Sequence, residues 1–427
     1  MRGFRGVTGA VMALMLAVVA ACAGVGARDG GTGPSRSSGP GAPRPEVSGP
    51  TGPPGEGGRG GAAGAPPRIP SAEGLPGWSH SPGFAADGSG FALLADCVQN
   101  AGAPESGFCR QPVAVLDRGA KGWVLRRSPL PETAPMDGVS ADLKVLGPGR
   151  ALIEEGGASP ETGRAWFTRD GGRTWRRVDT RTSGTTPVIP AGAVLTTDCA
   201  EPSSPSSGPL ARDECARERL VVIDPEDGRR RALAQGPPIG PGPRPAGVAE
   251  PDGSWWVSGT DPLSGRAAVA VSRDRGRSWS IGQLPSPTTA PGWYTAVAVG
   301  QDAVYAAEMG ELKGGNPVKN PMRALHRSLD GGRTWERMWT TGPVHEPRTL
   351  QGLPVPGPGG RVLITAEDRE FVSVDGGRSF RPSGEGTGFI RRTPLGLLRS
   401  GSACGYAISV DGERWSTFAL ACASDQR

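Results

Sequence analysis

The strongest constraint on this chain is a residue octet that recurs along it. Ser328–Trp335 reads SLDGGRTW, close copies begin at Thr168, Ser272 and Ser373, and a shortened copy, SVDGERW, begins at Ser409. Each copy separates two alternating apolar runs, which is the setting of a tight turn between antiparallel strands. The Ser or Thr hydroxyl and the Asp carboxylate can accept hydrogen bonds from the turn's amides, and the aromatic residue can pack on a neighbouring unit. The octets therefore predict a repeat of β-hairpins.

These octets resemble the Asp-box, or BNR, repeat, whose pattern is S-x-D-x-G-x-T-W. Five copies in one chain favour a repeat architecture. On this resemblance we expect structural roles for the turn aspartates and for the aromatic residues that follow them. These residues are Asp170, Asp274, Asp330, Asp375, Asp411, Trp175, Trp279, Trp335, Phe380 and Trp415.

Two further segments complete the count of repeats. The gap between Asp170 and Asp274 is about twice the others, and a degenerate turn around Asp227 fills it. Ala114–Trp123 has the shape of the octet with one extra residue. Seven turns at intervals of roughly 36 to 57 residues match the size of a four-stranded blade. We therefore predict an all-β fold over residues 75–427, a seven-bladed β-propeller of four-stranded antiparallel blades. Six blades is the alternative, because the third turn is the weakest.

The first residues predict export. Arg2 and Arg5 precede an apolar stretch, Val7–Ala21, that is too short to span a bilayer. Val19–Cys22 resembles the lipobox of bacterial lipoproteins, which implies a signal peptide over residues 1–21 and a lipid on Cys22. A secretory signal cut nearby, with loss of Cys22, is the alternative. The expected location is the outer face of the bacterial cytoplasmic membrane. Residues 22–74, rich in Gly and Pro, are expected to form a disordered tether.

The net charge of the chain excludes few classes of function, and the distribution of basic residues does not indicate a nucleic-acid partner. The chain has 47 basic and 42 acidic residues, with a formal net charge of +5. It contains no run of Lys or Arg interleaved with aromatic residues, as a nucleic-acid surface would need. We expect a monomer without a cofactor.

Six cysteines remain beyond Cys22, and they occur as three local pairs. An exported protein can oxidise them, and locality favours Cys97–Cys109, Cys199–Cys215 and Cys404–Cys422 among the 15 possible connectivities. A metal site is the alternative, but the sequence has no CxxC motif and three histidines, so we expect none.

Turns alternate between the two ends of an antiparallel meander. The octets lie at one end, and the loops between the second and third strands lie at the other, which we call the loop face. These loops vary in length, as binding loops on a rigid scaffold do, so the loop face is the candidate binding surface. Its candidate residues are six acids near strand ends and four residues of neighbouring loops: Asp96, Glu155, Asp198, Asp261, Glu308, Glu367, Lys313, Lys319, His345 and Arg348. The acids either ring the channel mouth or simply mark where strands end.

The resemblance implies two functions. Asp-box propellers include sialidases, and Arg68–Pro70 matches the RIP of their motif but follows Pro67 instead of Phe or Tyr. No acid or arginine can be given a catalytic role from spacing, so sialidase-like glycoside hydrolysis is the alternative. The chain is more similar to non-catalytic Asp-box propellers, such as the photosystem II assembly-factor and sortilin-like types. We therefore expect a membrane-anchored binding module for an envelope protein, peptide or glycan.

Overall fold

The apolar runs of the sequence form strands that assemble into seven sheets. The computed structural model describes residues 65–100, 103–134, 139–156, 163–202, 215–240, 242–290, 292–310, 321–342, 347–365, 369–386, 388–401 and 404–422. Each sheet is one blade, and a described 3-10 turn lies at Pro358–Gly360. The fold is the predicted seven-bladed β-propeller, and the six-bladed alternative is wrong.

Blades 1 to 3 span residues 78–233. Blade 1 contains β1 (Trp78–Phe84), β2 (Gly90–Asn100), β3 (Ala103–Arg110), β4 (Val113–Leu116) and β5 (Val124–Arg126). Blade 2 contains β6 (Ala141–Gly147), β7 (Arg150–Glu155), β8 (Ala165–Thr168) and β9 (Arg176–Val178). Blade 3 contains β10 (Thr185–Thr186), β11 (Val194–Pro202), β12 (Cys215–Ile223) and β13 (Arg230–Leu233).

Blades 4 to 7 span residues 244–419. Blade 4 contains β14 (Arg244–Pro245), β15 (Trp255–Thr260), β16 (Arg266–Ser272) and β17 (Ser280–Thr288). Blade 5 contains β18 (Tyr294–Val299), β19 (Val304–Met309), β20 (Pro321–Ser328), β21 (Glu336–Thr340) and β22 (Leu350–Gln351). Blade 6 contains β23 (Pro354–Pro356), β24 (Val362–Thr365), β25 (Arg369–Ser373) and β26 (Arg381–Glu385). Blade 7 contains β27 (Ile390–Thr393), β28 (Gly396–Ser400), β29 (Gly405–Ser409) and β30 (Ser416–Ala419).

The core lies between the blades. Alternate residues of each strand point to opposite sides of its sheet, so one blade supplies apolar side chains to both neighbours. Hydrophobic clusters fill all seven spaces between successive blades, including the space between blades 7 and 1. At that closing seam, Phe418 of blade 7 packs edge-to-face on Phe84 of blade 1, with ring centroids 5.7 Å apart. The ring is therefore held together by side-chain packing between sheets.

Residues 69–73, which we call the clasp, pair with the end of blade 7 at the closing seam. Ala72 forms a parallel bridge with Leu420, its N–H donating to Ala419 O and its carbonyl accepting from Ala421 N. Ile69 is buried in the seam cluster, and Trp123 Nε1 donates to Pro70 O across 2.9 Å. The RIP sequence of Arg68–Pro70 thus takes part in closing the ring.

Blade 3 departs from the predicted order of strands. The sequence predicts an inner strand before β11, but the sheet order is β10-β13-β12-β11 and leaves β11 at the edge. The segment that should supply that strand, β10, instead pairs parallel with β13 at the opposite edge. Between β10 and β11, Ile189 N donates to Arg275 O of blade 4 across 2.8 Å, so this segment is held against the neighbouring blade. The other six blades have the predicted antiparallel order.

Disulfides join the three local pairs favoured by the sequence: Cys97–Cys109, Cys199–Cys215 and Cys404–Cys422. The first two span the connections from second to third strands in blades 1 and 3, and the last joins the ends of β29 and β30. In the described part of the chain, no helix is long and apolar enough to cross a bilayer. The predicted signal peptide, Cys22 and residues 22–64 of the tether lie outside the described residues.

Candidate functional site

The turns built from the octets are saturated with internal hydrogen bonds. In blade 5, Asp330 Oδ1 accepts from Ser328 Oγ (2.8 Å) and Thr334 N (3.0 Å), and its Oδ2 accepts from Thr334 Oγ1 (2.6 Å). Blades 2, 4 and 6 repeat this arrangement, and blade 7 has a shorter version. Hydrogen bonds from the Ser278 side chain and backbone lower the pKa of Asp274 to about 2. These carboxylates are ionised and use their oxygens to accept hydrogen bonds within the turn.

The aromatic residue that ends each octet packs against the preceding blade. Trp175, Trp279, Trp335, Phe380 and Trp415 join the clusters between blades 1 and 2, 3 and 4, 4 and 5, 5 and 6, and 6 and 7, respectively. Gly332 permits close contact, since a Cβ there would lie 2.7 Å from Trp256 Cζ3. The octets therefore hold blades in place, which leaves the opposite, loop face as the surface to search.

Most of the described strand-end acids have hydrogen-bonding partners on their own blades. Four of them bond to a side chain of their own blade: Glu155 to Arg164 (2.6 Å), Asp198 to Arg219 (3.3 Å), Asp261 to Gln283 (2.8 Å) and Glu308 to His326 (2.6 Å). Asp96 is in register with Arg110 on the adjacent strand. Among the described residues, no three His, Cys, Asp or Glu side chains form a group that could hold a metal ion. Most of these carboxylates are therefore engaged locally along their own sheets.

Four other predicted residues, Glu367, Lys313, Lys319 and His345, lie outside the described residues. Arg348 is exposed, and its carbonyl accepts a hydrogen bond from Thr341 Oγ1 across 2.8 Å.

A cleft of about 300 Å³ opens on the loop face where blades 3, 4 and 5 meet. Residues from strand ends and from the connections between blades line it. They include Thr197 and Glu218 of blade 3, Arg244 and Thr260 of blade 4, and Trp293 and Tyr294 of blade 5. Three predicted acids adjoin this lining: Asp198 follows Thr197, Asp261 follows Thr260, and Glu308 pairs in register with lining residue Thr295. The structure thus gathers part of the predicted surface around one cleft.

Two stacked Arg–aromatic pairs shape the blade 5 wall of the cleft. The Arg244 guanidinium lies 4.3 Å from the Tyr294 ring centroid, and that of Arg323 lies 3.3 Å from the Trp293 centroid. Burial lowers the pKa of Arg323 below its ordinary value, and the nearby Glu308 carboxylate only partly opposes this shift. Gly310 makes room for this wall, because a Cβ there would lie 2.6 Å from Trp293 Cδ1. The rings are therefore held in fixed positions at the cleft.

The Thr hydroxyls on the blade 4 wall form a short chain. Thr260 Oγ1 and Thr289 Oγ1 are 3.1 Å apart, and Thr289 Oγ1 donates to Gly265 O, also across 3.1 Å. With the Glu218 carboxylate on the blade 3 wall, the cleft offers hydrogen-bonding groups on two sides and aromatic rings on a third. Such a mixture orients a ligand through polar groups while its apolar parts rest on the rings.

The sequence argument missed Trp293, Tyr294 and Arg244. A usable signal was present in Pro291–Tyr294, where two adjacent aromatic residues lie at the junction between a connection and the first strand of blade 5, on the face chosen for binding. Aromatic residues at such junctions are more informative than acids at strand ends, which every strand tends to have.

A largely buried Arg–Glu contact lies between blades 4, 5 and 7. Arg392 Nη2 of blade 7 lies 3.0 Å from Glu250 Oε2 of blade 4 and donates to Val299 O of blade 5 across 2.9 Å. Burial raises the pKa of Glu250 to about 7, against the opposing effect of the Arg392 charge. One guanidinium therefore links three blades, a role that is structural.

No protein-family model and no curated protein matches the sequence. Similar solved structures include a GH74 enzyme from Niastella koreensis, with 14% identity and a TM-score of 0.24, covering 79% of this chain and 54% of that chain. A GH74 xyloglucanase from Xanthomonas campestris has 14% identity and a TM-score of 0.31, with 78% and 65% covered. This chain thus spans about half to two thirds of those two enzymes.

A mutant Trypanosoma rangeli sialidase with trans-sialidase activity has 12% identity and a TM-score of 0.33, covering 83% of this chain and 57% of that chain. At such identities and TM-scores the likenesses carry no argument about activity. What the structure itself establishes is a seven-bladed β-propeller whose octet turns are structural and whose loop face carries an aromatic-lined cleft.

Proposed function

We propose that this protein is a lipid-anchored propeller that binds an envelope protein, peptide or glycan through its loop face. The observation that carries this proposal is the cleft between blades 3, 4 and 5, with Trp293 and Tyr294 fixed on its wall by stacked arginines. Preorganised aromatic residues give contact area at a small entropy cost, and they dominate many binding surfaces. The Val19–Cys22 sequence supports the anchor, because a lipid on Cys22 would hold the chain at the membrane.

Capture from the cell envelope tests the binding function. The full chain and its Trp293→Ala variant are immobilised, exposed to detergent-solubilised envelope, and compared by mass spectrometry of the bound material. Tyr305→Phe serves as the control, because Tyr305 is buried in the cluster between blades 5 and 6, away from the cleft lining. We expect Trp293→Ala alone to lose the captured partner. Equal capture by all three proteins would place binding elsewhere.

Sialidase-like hydrolysis remains the alternative function, and it requires acidic side chains placed around a scissile bond. Most glycosidases use a carboxylate pair, whereas sialidases use a tyrosine as the nucleophile. Among the described residues that line the cleft, Glu218 is the one carboxylate and Tyr294 the one tyrosine. A fluorogenic sialoside assay on the purified chain distinguishes the two functions, since turnover that survives purification and falls in Glu218→Gln would favour hydrolysis.

A further inference from the structure

Blade 3 presents the edge of a strand to the cleft. β11 lies at the edge of its sheet because the blade has no strand on the axis-facing side, and β10 pairs at the far edge. A strand at a sheet edge directs N–H and C=O groups outward, where another extended chain can pair with them. Thr197, near the middle of β11, is also a lining residue of the cleft.

The hydrogen-bond parity of β11 shows which groups face outward. Leu195 N donates to Gly247 O of blade 4 across 2.8 Å, so the Leu195 N–H points away from β12. Residues two apart on a strand direct their N–H groups to the same edge, and the pairing with β12 is regular from Leu195 to Cys199. The N–H groups of Thr197 and Cys199 therefore point to the same edge as that of Leu195.

The positions on either side of Thr197 are already occupied. Gly247 O accepts a hydrogen bond from Leu195 N, and Asp198 Oδ1 accepts one from Cys199 N across 2.9 Å. Parity directs the N–H and C=O of Thr197 to the outward edge of β11, and Thr197 is a lining residue of the cleft. In an antiparallel pair, one residue with both groups facing outward can exchange two hydrogen bonds with a single residue of an added chain.

We propose that the ligand of the cleft is an extended peptide that adds to blade 3 along β11 and pairs with the N–H and C=O of Thr197. This inference rests on the proposed function and specifies its ligand class. Strand addition draws affinity from main-chain hydrogen bonds and specificity from pockets for alternate side chains. The Trp293 and Tyr294 rings supply an apolar wall for such side chains, while Glu218 and Arg244 offer one charge of each sign.

A peptide fits these observations better than a saccharide does. A saccharide would use the threonine hydroxyls and the rings, but even an N-acetylated sugar lacks the regularly spaced main-chain N–H and C=O groups that pair with a strand edge. A cleft of about 300 Å³ accommodates a few residues of extended chain, while the rest of a longer peptide can continue over the loop face.

Thr197→Pro tests the pairing selectively. Proline removes the N–H and is tolerated on an edge strand where that N–H faces away from the sheet. Thr197→Val is the matched control, because it keeps the N–H and the β-branched shape but removes the hydroxyl. A phage-displayed random dodecapeptide library is panned on the full-length protein, and the recovered peptide is synthesised with a fluorophore. Its affinity for the three proteins is then measured by fluorescence anisotropy.

We expect similar affinities for the wild type and Thr197→Val, and a loss of roughly tenfold or more in Thr197→Pro at an unchanged melting temperature. Equal binding by Thr197→Pro, or failure to recover any peptide on the wild-type protein, would overturn the inference. A strongly lowered melting temperature in Thr197→Pro would also overturn it, since that N–H would then already serve the fold.

Hydrogen exchange of the wild-type protein provides a measurement that needs no variant. The Thr197 amide should exchange quickly in the free protein and at least tenfold more slowly with the selected peptide bound. Unchanged exchange contradicts strand addition. If Trp293→Ala abolishes capture from the envelope while the captured ligand proves to be a glycan, the proposed function stands and the peptide inference fails.

Discussion

Single carboxylates organise the turns of this fold. Asp411 of blade 7 is almost fully buried and accepts hydrogen bonds from Ser409 Oγ (3.0 Å), Glu413 N (3.0 Å) and Arg414 N (2.9 Å). Removing its charge would leave these donors with a weaker acceptor. We expect Asp411→Asn to lower the free energy of unfolding by about 1–3 kcal/mol, measured by denaturant titration.

Asp117 is the matched control for this prediction. It occupies the corresponding turn of blade 1, where its side chain is exposed. Asp117→Asn should leave the free energy of unfolding within about 0.5 kcal/mol of the wild type. Similar losses in both variants would show that the turn bonds do not stabilise the ring.

A second residue, Glu250, should make stability depend on pH near neutrality. Its side chain is 4% exposed beside Arg392, and burial raises its pKa to about 7 from an ordinary value of 4.5. Because the folded pKa is the higher one, the contribution to stability is complete below about pH 4.5 and is lost as pH rises through about 7. The full difference is on the order of 3 kcal/mol.

Comparison with Glu250→Gln isolates this effect. Between about pH 5 and pH 8, the wild-type melting temperature should fall relative to that of Glu250→Gln, which cannot ionise. Parallel pH profiles of the two proteins would mean that Glu250 stays ionised in its pair with Arg392 throughout this range.

At the scale of the element, five blades are held by the aromatic residue that immediately precedes their fourth strand. Phe380 is 6% exposed, and its ring packs edge-to-face on Trp339 of blade 5 with centroids 6.5 Å apart. Phe380→Ala should cost about 3–5 kcal/mol, because it removes a large buried side chain between two sheets.

The control for this prediction is Phe389→Ala. Phe389 lies just before blade 7 and is 65% exposed, so its truncation should change the free energy of unfolding little. If both variants unfold at the same denaturant concentration as the wild type, packing of the octet aromatic residues contributes nothing to the ring.

The sequence predicted the blades because turn chemistry and strand alternation are local. The octet at Ser328–Trp335 specifies its turn whatever the rest of the chain does, and the short separation of Cys404 from Cys422 restricts their pairing. The position of β10 could not be predicted in this way, since its two residues pair with β13 far along the chain. The cleft was missed for a related reason: residues of three blades build it, and no local pattern joins Glu218, Arg244 and Trp293.

The clasp at the closing seam is a further element that can be removed. Residues 69–73 pair with the end of blade 7 and contribute Ile69 to the seam cluster. A chain that begins at Ala65 should melt like the full-length protein, whereas one that begins at Gly74 should melt several degrees lower. Equal melting temperatures of the two truncated chains would show that blades 7 and 1 hold together without the clasp.

For the whole molecule, the two faces of the ring have separate tasks. One face carries the octet turns, whose polar groups are used within the turns themselves, and the other carries the cleft and the connections between blades. Closure of the ring by seven clusters makes a rigid support for these loops. A ligand should therefore contact the loop face and leave the octet face free.

Photo-cross-linking in the cell envelope tests this division most directly. Leu263 on the loop face is 96% exposed and Leu329 on the octet face is 68% exposed, so either can be replaced by p-benzoylphenylalanine with little effect on the fold. Leu263 follows two residues after Asp261 and lies next to the strand that ends at Thr260 of the cleft. On irradiation we expect a ligand adduct from position 263 and none from position 329. Adducts from position 329 with none from 263 would contradict binding through the loop face.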